Sequence, residues 1–265
     1  MRRAPRLVAT DLDGTLLRSD GTVSARTAAV LAELDARGVP VVFVTARPIR
    51  WIAELADAVG GHGLVVCSNG AVLLHLHREE VELARTMPAP VALAAVAAIR
   101  AAAPGAVFAL EGLSGFAKES AFVERTPAPP GSPVGPVEDL VREDDVLKLM
   151  ARSSLPPDAF RAVVTAAVRD AEVTASDRSG LVELSADGVT KASTLALLAA
   201  RLDVDPVDVV AFGDMPNDAP MLAWAGRSYA VADAHPAAIA AAAGRAPGND
   251  DDGVARVLAD LFDLG

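Results

Sequence analysis

Two aspartates one residue apart, Asp11 and Asp13, close the apolar run LVAT and open a turn at Gly14. Like charges this close to a buried strand are costly unless a cation or a reaction uses them. Three further segments carry polar groups in comparable places. VVFVTAR ends in Thr45, VVAFGDMPND carries Asp214, Asn217 and Asp218, and Lys191 stands in the first turn expected for TKASTLALL. Lysine is favoured near a helix C-terminus, so its position at a helix start points to an anion beside it. Carboxylates converging from several segments need a cation, and oxygen-only donors suit a hard ion such as Mg²⁺, which keeps waters for substrate oxygens. The expected chemistry is phosphoryl transfer. Asp11 attacks phosphorus to form an aspartyl-phosphate, and Asp13 protonates the leaving oxygen and later deprotonates water. Thr45 and Lys191 hold the phosphoryl oxygens, and the metal offsets the repulsion between carboxylate and phosphate. Taken alone, DLDG is equally an ordinary Asp/Gly turn; the other strand ends tilt the reading.

Such residues meet only if the chain brings its strand ends together. RLVAT, VPVVFVT, GLVVCSNG, VDVVAFGD and RSYAV are apolar on successive residues, the pattern of parallel strands covered on both faces. Helix-period segments alternate with them: 24–38, with Ser24 as N-cap and Gly38 as stop, then 48–61, 190–202, 215–226 and 235–244. The order implies a doubly wound, mostly parallel α/β sheet, whose ligands sit beyond the carboxyl ends of the strands. The middle differs, with two helices among several strands around the Pro/Gly-rich passage RTPAPPGSPVGPVED. The expected division is a core of 1–82 and 187–265, with an α+β domain inserted at 83–186.

Composition narrows the classes. The chain has 265 residues, ample for a real core, and a net charge of -11 that disfavours nucleic acid and anionic membranes as partners. Cys67 is the single cysteine, which excludes an intrachain disulfide and a multi-cysteine metal site. Arg2 and Arg3 imitate a signal start, but the apolar stretch behind them is cut at Asp11, and the alanine-rich run 91–103 contains Arg100 and is too short to span a membrane. The expectation is a cytoplasmic protein, with monomer and homodimer equally open. No GxxxxGK[ST], GxGxxG or HExxH occurs.

The four segments, in this order, resemble the haloacid dehalogenase (HAD) superfamily of phosphatases: DLDGTL its first motif, VTAR its second, Lys191 its third, GDMPND its fourth. CSNGA, DGVTKASTLALLAARL, NDAPMLAWAG and the tail from Ala230 are similar to the Cof-type subgroup, which inserts a large α/β cap between the second and third motifs. The resemblance implies a Rossmann-like core with Asp11 as nucleophile and Asp13 as acid/base. It implies Mg²⁺ held by Asp11, the Asp13 carbonyl and Asp214, with Asp218 as direct or supporting ligand. It implies phosphate held by Thr45, Lys191, Asn217 and amides near Leu12 and Ala46. Ala46 and Ala192 stand where the family often has glycine, and the Ala46 methyl narrows the approach of that amide.

The expected function is Mg²⁺-dependent hydrolysis of a small phosphorylated metabolite, a sugar phosphate or a phosphorylated cofactor. A phosphomutase or phosphotransferase is an alternative, as is a receiver-like signalling module, though the latter needs neither Asp13 nor a cap. Among the remaining candidates, Asn69-Gly70 reads first as a hairpin turn and second as a substrate-facing loop. His75 and His77 read as a solvated strand face, His235 as a helix cap, and Cys67 as a buried thiol. Arg47 reads equally as a partner near the site or a surface ion pair. Glu111, Lys118, Arg125, Lys148 and Arg178 are polar candidates of the cap, each expected on the surface.

Overall fold

The computed structural model describes residues 4–52, 62–175 and 180–264. The chain divides into two compact units, Met1–Leu83 with Thr190–Gly265, and Ala84–Val189.

In the first unit, β1 (Leu7–Thr10) leads through α1 (Ala25–Ala36) to β2 (Val41–Val44) and β3 (Leu64–Cys67). The Ser24 side chain caps α1 by accepting from the Thr27 amide at 3.0 Å, and Gly38 follows its end with φ +67°. The helix expected at 48–61 lies mostly outside the described residues; a 3-10 turn, Ile49–Trp51, is what is described of it. A tight turn at Ser68–Gly70 returns the chain as β4 (Val72–His75), antiparallel to β3, and β5 (Glu80–Ala84) follows.

The second unit, described by itself, contains α2 (Ala89–Ala102), β6 (Val107–Gly112), β7 (Gly115–Lys118), the short α3 (Val137–Leu140), β8 (Val146–Arg152), α4 (Pro157–Ala167), β9 (Ala171–Thr174) and β10 (Val182–Ala186). Its strands form one sheet in the order β7-β6-β8-β10-β9, with every pair antiparallel. Side chains alternate across such a sheet. Phe108, Leu110, Leu149, Ala151 and Leu184 therefore share the face packed by Val96 and Ile99 of α2 and Phe160 and Val164 of α4, while Ala109, Met150 and Phe116 belong to a separate cluster with Phe122.

The first unit resumes with α5 (Lys191–Arg201), β11 (Val209–Gly213), α6 (Ala219–Trp224), β12 (Arg227–Ala230), α7 (Pro236–Ala241), β13 (Gly244–Arg245) and α8 (Gly253–Phe262). The sheet order is β13-β12-β11-β1-β2-β3-β4-β5, parallel from β13 to β3. This is the doubly wound α/β arrangement. Thr10 pairs with both Phe212 and Phe43, so β11, β1 and β2 end side by side. Two expected helices are shorter than their periodicity suggests: 215–226 opens with a 3-10 turn, Pro216–Asp218, and 235–244 gives way to β13. Among the described residues, no helix is long and apolar enough to cross a membrane.

Candidate active site

Asp11 follows the last residue of β1, and its amide bonds the Phe212 carbonyl of β11 at 3.0 Å, which fixes it at the shared sheet edge. The chain then folds over itself. The Leu12 carbonyl accepts from the amides of Thr15, Leu16 and Leu17, and Gly14 turns with φ +80°. A side chain at Gly14 would put its Cβ 2.7 Å from the Asp214 Oδ2, so only glycine lets this loop lie against Asp214. Thr15 donates its hydroxyl to Asp214 Oδ1 at 3.1 Å.

Lys191 opens α5, as its sequence position implies. Thr190 is the N-cap in a reciprocal box with Ser193. The Lys191 ammonium is buried and lies 2.6 Å from Asp11 Oδ1 and 2.7 Å from Asp218 Oδ1. Those two anions offset the unfavourable placement of a cation at a helix start. Asp218 is fully buried, and its second oxygen accepts from the amides of Asp214 at 3.0 Å and Met215 at 2.9 Å. Gly213 permits this, since a Cβ there would meet that of Asp218 at 2.5 Å.

Asp11, Asp214 and Asp218 each offer an oxygen within 4.8 Å of the others, and they are the single group among the described residues able to hold a metal. Three carboxylates face one ammonium. Burial, more than any neighbour, pushes the Asp11 carboxyl well above the usual range, and the negative charges of Asp218 and Asp214 add to this against the opposing pull of Lys191. Burial and then Asp218 push Asp214 up to about 6. Lys191 is held above the ordinary lysine range by Asp11 and Asp218, despite the opposing effect of its burial. The set fits a divalent cation: hard oxygen donors only, an excess of negative charge, and a Gly14 cradle that keeps Asp214 in place.

Thr45 follows β2 and is fully buried; its hydroxyl oxygen accepts from the Arg47 amide at 3.0 Å. Ala46, between them, is half-buried. Asn217 is buried and donates to Asn69 Oδ1 at 3.0 Å. Asp13 is more than half exposed and is held by Arg47 in a two-pronged ion pair, at 2.6 and 2.8 Å. The even reading of Arg47 thus resolves toward a partner of Asp13.

Asn69 does stand in a hairpin turn, as its sequence neighbours imply, and it is also buried against Asn217. Thr15 carries no assignment from the sequence, although it stands inside DLDGTL. His235 accepts from the Ala237 amide as a helix cap, Cys67 is buried, and His77 is exposed beside a half-buried His75. Two expectations for the inserted unit fail. Glu111 and Lys148 are buried rather than on the surface, opposite each other on β6 and β8, with the Lys148 ammonium 2.5 Å from Glu183 Oε1. Both stand on inner strands of a five-stranded sheet, where burial is set by what covers the face and not by residue type. Lys118 pairs with Glu124, Arg125 is exposed, and Arg178 lies outside the described residues.

A family model described as haloacid dehalogenase-like hydrolase matches residues 8–258. A phosphoglycolate phosphatase of Halorubrum lacusprofundi is 34% identical over 258 residues, covering 96% of each chain. An HMP-PP phosphatase of Serratia proteamaculans is 28% identical, covering 87% of this chain and 85% of its own. The solved structure of SMU.1108c from Streptococcus mutans superposes with a TM-score of 0.87 at 25% identity, covering 98% of this chain and 100% of the other.

Proposed function

The chain belongs to the haloacid dehalogenase-like hydrolases of the Cof type and is a phosphatase for small phosphorylated substrates, and from this premise we propose a Mg²⁺-dependent hydrolysis through an aspartyl-phosphate on Asp11. The observation that carries the proposal is the Lys191 ammonium bridging Asp11 and Asp218 inside a group of three carboxylates.

In this reading Asp11, the Asp13 carbonyl and Asp214 hold the metal. Asp218 supports it indirectly, because its oxygens are already engaged by Lys191 and two amides. Bound there, Mg²⁺ neutralises charge shared by carboxylate and phosphate. Lys191 holds the free Asp11 oxygen oriented and balances charge on the phosphoryl group as it transfers. Thr45, Asn217 and the amides near Leu12 and Ala46 complete the phosphoryl cradle. Asp13, released from Arg47, gives its proton to the leaving oxygen and recovers one from the water that attacks the aspartyl-phosphate. The inserted unit serves as the cap that chooses the substrate. Phosphoglycolate heads the candidate substrates, given the name of the 34% identical relative, ahead of sugar phosphates and phosphorylated cofactors.

The test is phosphate release from phosphoglycolate, sugar phosphates, pyridoxal phosphate and flavin mononucleotide, with Mg²⁺ and with EDTA, for the wild type and Asp11→Asn. Mg²⁺-dependent turnover lost in Asp11→Asn is the expected result. Full activity of Asp11→Asn would overturn the mechanism, and an isomeric sugar phosphate in place of inorganic phosphate would turn the reading to a mutase.

A further inference from the structure

A two-stranded hairpin needs only a turn at its tip, and such tips ordinarily lie on the surface. The one joining β3 to β4 is buried throughout, from Ser68 to Gly70. Three consecutive residues take positive φ there: Ser68 at 50°, Asn69 at 57° and Gly70 at 101°. Such a conformation costs a non-glycine residue about 1–2 kcal/mol, with asparagine among the more tolerant. A run of this kind persists when the surroundings hold it.

The surroundings are the other site segments. The Ser68 amide bonds the Arg47 carbonyl at 2.9 Å and the Asn69 amide the Thr45 carbonyl at 3.1 Å, fastening the turn to the end of β2. The Gly70 carbonyl accepts the Thr194 hydroxyl at 2.6 Å, and a Cβ on Gly70 would lie 2.2 Å from the Thr190 carbonyl and 3.0 Å from the Lys191 amide, so the turn is seated against the start of α5. Asn69 Oδ1 takes the Asn217 side-chain amide at 3.0 Å, while Asn217 Oδ1 has no partner among the described residues. The orientation of the Asn217 side chain thus rests on Asn69.

We infer that Asn69 is a positioning residue of the phosphoryl cradle, which aims the Asn217 amide while its turn ties Thr45 and Lys191 to a common frame. The inference rests on the assignment of Asn217 to phosphate made above. A residue that only closes a hairpin requires none of these links.

The experiment is a double-mutant cycle of Asn69→Gly and Asn217→Ala. Its readouts are the affinity of the Mg²⁺-loaded protein for inorganic phosphate by calorimetry, the KM and kcat for p-nitrophenyl phosphate, and the affinity for Mg²⁺. Glycine keeps positive φ without strain and removes the side chain that accepts from Asn217; should that variant melt too low to assay, Asn69→Ser enters the same cycle. Each single variant is expected to weaken phosphate by tenfold or more and to raise KM more than it lowers kcat. The double variant is expected to be no weaker than Asn217→Ala, with Mg²⁺ affinity unchanged, since residues acting through one contact are non-additive. Wild-type phosphate affinity in Asn69→Gly, losses that multiply in the double variant, or a parallel fall in Mg²⁺ affinity would overturn the inference while leaving Asn217 in its role. Unchanged phosphate affinity in Asn217→Ala alone would remove that role and the inference with it.

Discussion

Each unit of the molecule buries a lysine against carboxylates, and the two clusters differ in where the fold puts them. Lys191 stands at the start of a helix, facing aspartates that follow two adjacent parallel strands, and three carboxylate groups crowd one ammonium. Lys148 stands in the middle of an antiparallel strand and meets Glu183 from β10. Ends of parallel strands are where an α/β sheet presents ligands; a mid-strand ion pair adds little net stability, yet removing one partner is costly. The difference teaches that a buried lysine with carboxylate partners stands at the strand ends in one unit and is tied into the body of a sheet in the other.

Substituting each lysine should separate the two roles most widely. Lys191→Ala is expected to lower kcat by about 10²–10³, the range for losing one preorganised charge-stabilising group, measured on whichever ester the wild type turns over. Lys148→Met is expected to destabilise the protein, by up to about 3–5 kcal/mol, through the loss of a buried ion-pair partner of Glu183, read by urea unfolding. A Lys148→Met protein of wild-type stability that has lost turnover would break the comparison and move Lys148 into the working site.

The same contrast marks what is legible from sequence. Strand ends announce themselves: VVFVT and VVAFGD are apolar until they stop, so Thr45 and Asp214 stand out, and Lys191 is conspicuous because it contradicts the helix dipole. Lys148 and Glu111 carry no such mark, since alternation along β8 and β6 tells which residues share a face but not what covers it. Asn69-Gly70 is readable as a turn, but its bond to Asn217 spans 148 positions and has no local signal. Strand β7 and helix α8 are also hidden. The first is a four-residue edge strand, and the second opens with Gly253 after three aspartates, which read as loop rather than helix start.

A smaller effect follows from the crowding of carboxylates in the first unit. Asp214 is raised from 3.8 to about 6 by burial and by Asp218. The folded state therefore binds this proton more tightly than the unfolded one. Its stabilising contribution is complete below about pH 4 and is lost as pH rises through 6 in the metal-free protein. Mg²⁺ competes with that proton, so the rise in melting temperature on adding Mg²⁺ should be larger at pH 7.5 than at pH 5. Lys148→Met should leave this increment intact. A pH-independent increment would mean that Asp214 takes no part in holding the ion.

The finest contrast uses two glycines. Gly14 in the first unit and Gly115 in the second both have positive φ, +80° and +117°, so alanine is strained at either and is expected to cost about 1 kcal/mol or somewhat more. A methyl carbon added at Gly115 would find nothing within 4 Å, whereas at Gly14 it would meet the Asp214 carboxylate at 2.7 Å. Gly115→Ala should then lower the melting temperature and leave Mg²⁺ affinity and kcat as they were. Gly14→Ala should lower it comparably and also weaken Mg²⁺, because Asp214 must move away from the group it shares with Asp11. Equal Mg²⁺ affinities in the two variants would show that the Gly14 loop does not set the position of Asp214, and that the carboxylate cluster is held by Thr15 and the β11 turn alone.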